Sequence, residues 1–334
     1  MMIVTISKYE WRLAYMDLIE VAKCFVEESQ GMGADYAFVT GSVARGDDDQ
    51  YSDLDLSIYS SGIDAETSSN ESYRNKMLQV DLYPISKRPS IDEFLEDPWG
   101  HRYLDELYII KDNDDRLYHL QNQAKAFLYS PEGKRKLIKI VTNIVNERQS
   151  YADKMLKAGY PTTATQASLG AWAEAALLYS YLEQGTLSTG AVIPFIQEKH
   201  TEHLQSFLTH SPFTSLPNTE AIINNISNFR HYLRNRKKTL SFDLSPHQDS
   251  IFVNKAKRYQ SQDTHLAWIA YGEALWLFFK ETDNRLIEEF LDSCPQDVQN
   301  SLLDLGFQQL SKANIQQLHM LTGELIHYSH CAID

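Results

Sequence analysis

The period of the hydrophobic pattern changes once along this chain, near residue 115, and that change constrains the fold more than any other feature. Before it, apolar and polar residues alternate over 53–59 and again over 77–85, which is the period of a half-buried β-strand. After it, apolar residues recur every three to four positions, as on one face of a helix. The pattern therefore predicts an α+β fold whose strands are confined to the N-terminal third.

The N-terminal third has the elements of one small domain. Apolar positions over 10–30 predict a helix, and the run 37–39 predicts a strand that stops at Gly41. Residues 60–75, between the two alternating segments, are polar and Ser-rich and predict a mobile connection. A helix followed by these strands predicts a mixed sheet with flanking helices over residues 1–115.

The rest of the chain is predicted to be all-α. Its helical segments are separated by proline and glycine residues. They cover 132–158, 166–184, 219–238, 264–291 and 312–328. A turn at 240–247 divides them, so we predict a helical substrate-side domain over 116–239 and an additional helical region, of unassigned role, over 240–334.

Composition is ordinary for a globular chain. The 334 residues are 43% hydrophobic and 23% charged, which excludes collagen, coiled coil and general disorder. No run approaches the roughly 20 apolar residues of a membrane span, and the N-terminal residues lack the pattern of a signal peptide. Three cysteines, far apart and in no zinc-site spacing, predict reduced thiols in a cytoplasmic protein.

The net charge of −14 bears on the partners of the chain. A net anion repels phosphate backbones, so nucleic acid is not expected as the main partner. The same field attracts cations, so a cationic small molecule is favoured as a ligand.

Acidic residues follow the strand period at one place in the sheet. Asp53 and Asp55 would share a face of their strand, and Asp81 would lie on the matching face of a later strand. Like charges about 4 Å apart repel by roughly 4 kcal/mol even at an effective dielectric constant near 20, so protons or hard cations must neutralise them. Oxygen-only ligands select Mg²⁺ or Mn²⁺, and two such ions suit displacement at phosphorus. A calcium loop is excluded because Ile58 and Asp64 stand where it requires Gly and Glu.

A glycine-serine pair precedes these acids. Gly41 permits close approach of the backbone to a ligand, and Ser42 is predicted to cap a short helix over 43–45. The free N–H groups of such a turn favour an anion such as a triphosphate. Arg45 can contact that anion or solvate the acidic loop that follows, and both interpretations stay open.

The order of these residues resembles the signature of the DNA polymerase beta-like nucleotidyltransferases. In this sequence, ten residues separate Gly41-Ser42 from Asp53-x-Asp55, and a third acid follows on a later strand. The pattern is most similar to kanamycin nucleotidyltransferase and its small-molecule relatives. The stretch 151–154 (Tyr-Ala-Asp-Lys) and the alanine-rich segment 168–182 are similar to the helical domain of that enzyme. The resemblance covers residues 10–238.

This resemblance implies a set of site residues. Asp53, Asp55 and Asp81 would hold two Mg²⁺ ions, and Ser42 and Lys154 would bind the triphosphate, with Gly41 and Arg45 beside them. The family also implies a glutamate as general base, directly before the tyrosine of the 151–154 stretch. Ser150 stands there instead.

Two glutamates are candidates for the missing base. Glu147 lies three residues earlier on the same predicted helix, and a carboxylate base needs only to lie about 3 Å from the proton that it takes. Glu174, among alanines on the next helix, is the second candidate. His200 and His203 have a spacing seen in metal sites but lack a further ligand, so they are predicted to be surface residues. The aromatic residues of the last helical region, Trp268, Trp276, Phe278 and Phe279, are predicted to be core.

The resemblance implies an activity: Mg²⁺-dependent transfer of AMP from ATP to a hydroxyl of a small cationic molecule such as an aminoglycoside, as in antibiotic resistance. A homodimer is one expectation, since the family often forms dimers. Two alternatives stay open. The acceptor can be a protein or an RNA, or the chain can be a nucleotide-binding regulator without transfer activity, which Ser150 favours.

Overall fold

The computed structural model describes residues 17–28, 33–214, 217–259, 262–283 and 286–333. The chain divides into two compact units, Met1–Ala126 and Phe127–Asp334. The domains predicted over 1–115, 116–239 and 240–334 were defined by expected function, and they stay predictions.

The first unit is a mixed sheet with helices. Its elements are α1 (Leu18–Glu28), β1 (Ala34–Thr40), α2 (Gly41–Arg45), β2 (Leu54–Ser60), β3 (Thr67–Tyr73), β4 (Lys76–Pro84), α3 (Ile91–Glu96), β5 (Tyr108–Asp112) and the start of α4 (Arg116–Leu128). The strand order is β3-β4-β2-β1-β5, in which β2 and β4 run parallel and the other pairs are antiparallel. The predicted strands and the α+β fold are confirmed. The predicted helix over 10–30 is confirmed over Leu18–Glu28, while positions 10–16 and 29–30 lie outside the described residues.

One face of the sheet is the hydrophobic core of this unit. Leu54, Leu56, Leu78 and Val80 are buried there, together with apolar residues of α1. Burial of each such side chain contributes about 1.5–3 kcal/mol. Because alternate residues of a strand point to opposite faces, packing of these leucines fixes the polar residues between them on the other face.

The prediction of a mobile connection over 60–75 is wrong in its second half. Strand β3 (Thr67–Tyr73) pairs antiparallel with β4 along its whole length. The two strands join through Arg74 and Asn75, whose φ angles are 50° and 61°, as in a tight hairpin turn. The strand was missed because it lies at the sheet edge, where no apolar face is needed and the alternation is lost.

The second unit is helical. It contains the end of α4, then α5 (Pro131–Ala158), α6 (Pro161–Gln184), α7 (Val192–Lys199), α8 (Thr201–His210), α9 (Thr219–Asn235), α10 (Pro246–Arg258), α11 (Asp263–Glu281), α12 (Ile287–Ser293), α13 (Gln296–Asp304) and α14 (Lys312–Cys331). Four of the five predicted helices are confirmed. The prediction of one helix over 264–291 is wrong, because α11 ends at Glu281 and Asp283 has a φ of 54°, which a continuing helix does not allow.

The prediction of aromatic core residues in α11 is confirmed for Phe278, which is fully buried. It is wrong for Trp276 and Phe279, whose exposed fractions are 53% and 52%.

Polar side chains connect helices inside this unit. The first turn of α6 has no cap from its own N-cap residue. Instead, the carboxylate of Glu288 in α12 accepts hydrogen bonds from the backbone N–H groups of Thr162 (2.6 Å) and Thr163 (2.9 Å) and from the Thr163 hydroxyl (2.6 Å). A carboxylate at a helix N-terminus also interacts favourably with the helix dipole. Glu288 therefore joins α12 to the start of α6.

Candidate functional site

The predicted acidic residues come to one face of the sheet. In the parallel register of β2 and β4, Asp55 pairs with Gln79 and Ser57 pairs with Asp81. Paired residues lie on the same face, so we call the face that carries these four residues the acidic face. Asp53 comes just before β2, and its carboxylate accepts a hydrogen bond from the Gln79 amide at 2.5 Å. All three acids are half-buried.

Gly41 makes room for one of these acids. It follows β1 directly, at a point where Thr40 pairs with Asp55 across the antiparallel ladder. Its φ is 71°, and a Cβ added to it would collide with the Asp55 carboxylate. Glycine is therefore needed here both for the left-handed backbone and for the close approach of Asp55. The turn that opens α2 thus lies against the central acid of the acidic face.

Ser42 does not cap α2, and that prediction is wrong. The helix begins at Gly41 with Thr40 as its N-cap, so Ser42 lies inside the first turn. Its hydroxyl forms a 3.3 Å hydrogen bond with the hydroxyl of Ser52, which accepts a 3.0 Å bond from the backbone N–H of Asp49. Ser42 therefore connects the glycine turn to the loop that leads into Asp53.

Arg45 contacts two acids of the protein. Its guanidinium donates to Glu106 at 3.2 Å and to Asp47 at 3.3 Å. Both Arg45 and Glu106 are largely shielded, with 18% and 10% of their side chains exposed. These contacts hold the end of α2 in place and neutralise part of the negative charge of the loop.

The acids of the acidic face have protein partners. Besides the bond between Gln79 and Asp53, the Ser68 hydroxyl of β3 donates to Asp81 at 2.5 Å. No group of three or more His, Cys, Asp or Glu side chains among the described residues is arranged so that it could hold a metal ion. The donor chemistry of Asp53, Asp55 and Asp81 fits Mg²⁺, and each of the two hydrogen bonds engages one oxygen of its carboxylate.

An aromatic cluster continues the acidic face toward the other end of the strands. The rings of Tyr59 and Tyr83 stack with centroids 4.9 Å apart, and Phe38 stacks on Tyr59 at 5.8 Å. Burial, followed by the negative charge of Asp81, raises the pKa of Tyr83 to about 12. Tyr83 therefore stays protonated at neutral pH, and Asp81 lies between an acidic end and an aromatic end of the same face.

The remaining predicted site residues belong to the second unit. Glu147 and Lys154 are exposed and lie seven residues apart on α5, which places them on the same side of the helix, two turns apart. Ser150 is also exposed. Glu174 on α6 accepts a hydrogen bond from Arg148 at 3.0 Å.

The prediction that both histidines of the pair lie on the surface is wrong for His203. This residue is buried; its Nδ1 contacts Glu324 at 3.0 Å and its Nε2 accepts a 3.1 Å bond from Trp172. Burial lowers the pKa of His203 and outweighs the opposite effect of Glu324. The pair was missed because Glu324 lies 121 residues away in the sequence.

Sequence reasoning also missed the residues that hold the acids. Gln79 was placed on the correct face by strand alternation, but its bond to Asp53 was not foreseen. Ser68 was missed because no pattern predicted a strand there. Glu106 was missed because nothing in the sequence linked it to Arg45.

Within the described residues, no helix combines the length and the apolar character needed to cross a bilayer.

The sequence was compared with protein families, with curated proteins and with solved structures. No protein-family model matches the sequence, and no curated protein matches it. Among solved structures, the chain is similar to a nucleotidyltransferase-like protein from Exiguobacterium sibiricum 255-15, with 11% identity, a TM-score of 0.32 and coverage of 86% of this chain and 88% of that one.

Proposed function

We propose that this chain is a nucleotidyltransferase. It transfers a nucleoside monophosphate to a hydroxyl of a small cationic molecule, and the transferred group is AMP, taken from ATP. The observation that carries the proposal is the contact between the Gly41 turn and Asp55, with Asp53 and Asp81 on the same face. It combines an anion-binding turn with carboxylates that suit a divalent cation. The spacing of these residues, which resembles that of the DNA polymerase beta-like nucleotidyltransferases, supports the same assignment.

In the proposed reaction, the acceptor hydroxyl attacks the α-phosphorus of ATP, a new P–O bond forms, and the bond to pyrophosphate breaks. Mg²⁺ held by Asp53, Asp55 and Asp81 would stabilise the charge on the phosphoryl oxygens. The backbone N–H groups of the first turn of α2 would hold the triphosphate, since they have no partners within the helix. Ser42 keeps this turn fixed against the loop before Asp53.

The acceptor and the general base are assigned from charge and from resemblance. The net charge of −14 favours a polycation such as an aminoglycoside. We assign the hydroxyl proton to Glu147 and a phosphate contact to Lys154 by resemblance alone, and the nucleotide site on the acidic face does not depend on either residue.

A second candidate function is nucleotide binding without transfer. It is favoured by Ser150, which stands where the resemblance implies the general base. It is also favoured because no group of three or more His, Cys, Asp or Glu side chains among the described residues is arranged to hold a metal ion. In that case the chain would bind ATP and change state without releasing pyrophosphate.

Labelled ATP, Mg²⁺ and a panel of aminoglycosides separate these functions. The proposal predicts pyrophosphate release that requires an acceptor and that Asp55→Asn reduces by at least about 1,000-fold. Asp64→Asn, which changes an exposed loop acid, is the matched control and should retain activity. ATP binding without turnover over the whole panel would favour the second function, and full activity of Asp55→Asn would refute the metal assignment.

A further inference from the structure

Two neutral side chains hold two of the three carboxylates of the acidic face. The Gln79 amide donates a hydrogen bond to Oδ2 of Asp53, and the Ser68 hydroxyl donates one to Oδ1 of Asp81, each at 2.5 Å. Each bond engages one oxygen of its carboxylate, so the second oxygen is left for a further ligand. A hydrogen bond to a carboxylate is stronger than one between neutral groups. The two bonds therefore restrict the rotation of both carboxylates.

These donors leave the negative charge of the two acids in place, because an amide and a hydroxyl carry no formal charge. The acids beside them are treated differently. Arg45 donates to Glu106 and to Asp47, and its positive charge offsets theirs. Asp53 and Asp81 are oriented without being offset by their donors, so they continue to attract a cation.

Backbone pairing fixes the positions of the two donors. Ser68 lies directly opposite Asp81 in the antiparallel pair of β3 and β4, and Gln79 lies opposite Asp55 in the parallel pair of β2 and β4. Directly opposite residues of an antiparallel pair have Cβ atoms about 4.5–5.5 Å apart, which a serine hydroxyl can span. Neither donor can move away from the acids without disturbing the ladder of backbone bonds.

The edge strand that carries Ser68 is also attached to α1. The Tyr73 ring lies edge-on to Phe25, with ring centroids 5.3 Å apart, and the Arg74 guanidinium donates to Glu28 at 2.5 Å. Both contacts lie at the turn between β3 and β4, where Tyr73 packs against the hydrophobic core. They hold the hairpin against α1, so the position of Ser68 is defined although its side chain is exposed.

We propose that Ser68 and Gln79 are positioning residues for a divalent cation on the acidic face. Each holds one oxygen of a carboxylate, and the other oxygen is thereby presented to the ion at a smaller loss of side-chain freedom. In metal sites, loss of a partner that orients a ligand typically weakens metal affinity about 10- to 100-fold. This inference rests on the proposed function, which requires the cation, and it gives a role to two residues that the resemblance does not include.

Mn²⁺ binding to the full chain, followed by electron paramagnetic resonance with a non-hydrolysable ATP analogue present, tests the inference. Ser68→Ala should raise the Kd for Mn²⁺ at least about tenfold. Gln79→Met, on a different strand, should have the same effect. Ser68→Thr keeps the hydroxyl and should restore the affinity of the native chain. Ser72→Ala is the matched control, because Ser72 is exposed on the same face of β3 and pairs with Met77; it should bind Mn²⁺ as the native chain does.

The sign of the change is decisive. If the two bonds competed with the ion, Ser68→Ala and Gln79→Met would bind Mn²⁺ more tightly. That result, an unchanged affinity, or equal losses in Ser68→Thr and Ser68→Ala would overturn the inference and leave the cation site intact. Loss of Mn²⁺ binding in Asp55→Asn identifies the acidic face as the site that is measured. If the native chain binds no Mn²⁺, or if Asp55→Asn binds it equally well, the cation site of the proposed function fails, and this inference fails with it.

Thermal unfolding separates positioning from stability. Ser68 is exposed, so Ser68→Ala should unfold at nearly the same temperature as the native chain while it loses Mn²⁺ affinity. A loss of affinity that occurs only in variants with a disrupted fold would overturn the assignment of a positioning role.

Discussion

The two units of this protein use charged residues in opposite ways. On the sheet of the first unit, Asp55 and Asp81 are half-buried on the face opposite the hydrophobic core that packs against α1. Inside the helical second unit, Arg230 is 1% exposed and its guanidinium donates to Asp249 at 2.5 Å and to Glu273 at 2.7 Å. Like charges gathered on an open face raise the energy of the fold, whereas a buried arginine with two carboxylates holds three helices together. We infer that the first arrangement serves binding and the second serves stability.

The largest expected effect tests the second unit. Arg230→Met would remove a guanidinium that also donates to the backbone carbonyls of Asp243 and Ser245. We expect the free energy of unfolding to fall by about 3 kcal/mol, the lower part of the range for buried ion pairs because the freed carboxylates reach solvent. Urea unfolding measures this change.

Arg135→Met, at an exposed position of α5, is the control for Arg230→Met. It should change the free energy of unfolding by less than about 0.5 kcal/mol. Equal effects of the two substitutions would contradict the contrast between the units.

The second prediction concerns the first unit and uses two glycines with the same backbone. Gly41 and Gly46 have φ angles of 71° and 73°, but only at Gly41 would a Cβ meet Asp55; at Gly46 nothing lies within 4 Å. Alanine at either position should cost about 1–2 kcal/mol of stability. Only Gly41→Ala should also displace the carboxylate and reduce nucleotide transfer by about 100-fold. Equal transfer rates of the two variants would show that the contact with Asp55 has no role in function.

The first unit could be predicted from sequence to a large extent. Alternation over 53–59 and 77–85 determines which residues face the core, so the shared face of Asp53, Asp55 and Asp81 follows from local pattern. The partners of these acids could not be predicted in the same way. Ser68 lies on an edge strand without apolar alternation, and the fold of that strand depends on backbone bonds to β4.

The second unit could be predicted only at the level of its longer helices. Helical periodicity reports which face is buried, but it does not report which helix covers that face. The bonds that join α12 to the start of α6 connect Glu288 with residues about 125 positions earlier.

The smallest expected effect is a pH dependence of the second unit. The pKa of His203 is lowered by burial, so the unfolded chain, with a histidine pKa near 6.5, binds this proton more readily than the folded one. The free energy of unfolding should therefore decrease as the pH falls below about 7, with a slope of at most about 1.4 kcal/mol per pH unit from this residue. Burial lowers the pKa of His265 and His319 as well, and they add to the slope.

Urea unfolding between pH 7.5 and 5.5 measures this slope. His203→Gln should make it shallower, whereas His119→Gln, at an exposed position of α4, should leave it unchanged. An unchanged slope in His203→Gln would mean that burial does not hold this histidine neutral in the folded chain.

The central claim is that the acidic face binds a divalent cation together with a nucleotide. Titration of Mn²⁺ into the protein, followed by electron paramagnetic resonance with and without a non-hydrolysable ATP analogue, tests it directly. We predict Mn²⁺ binding by the native chain that the nucleotide strengthens, and loss of this binding in Asp55→Asn with the fold intact. Equal Mn²⁺ binding by Asp55→Asn and the native chain in the presence of the nucleotide would contradict the account.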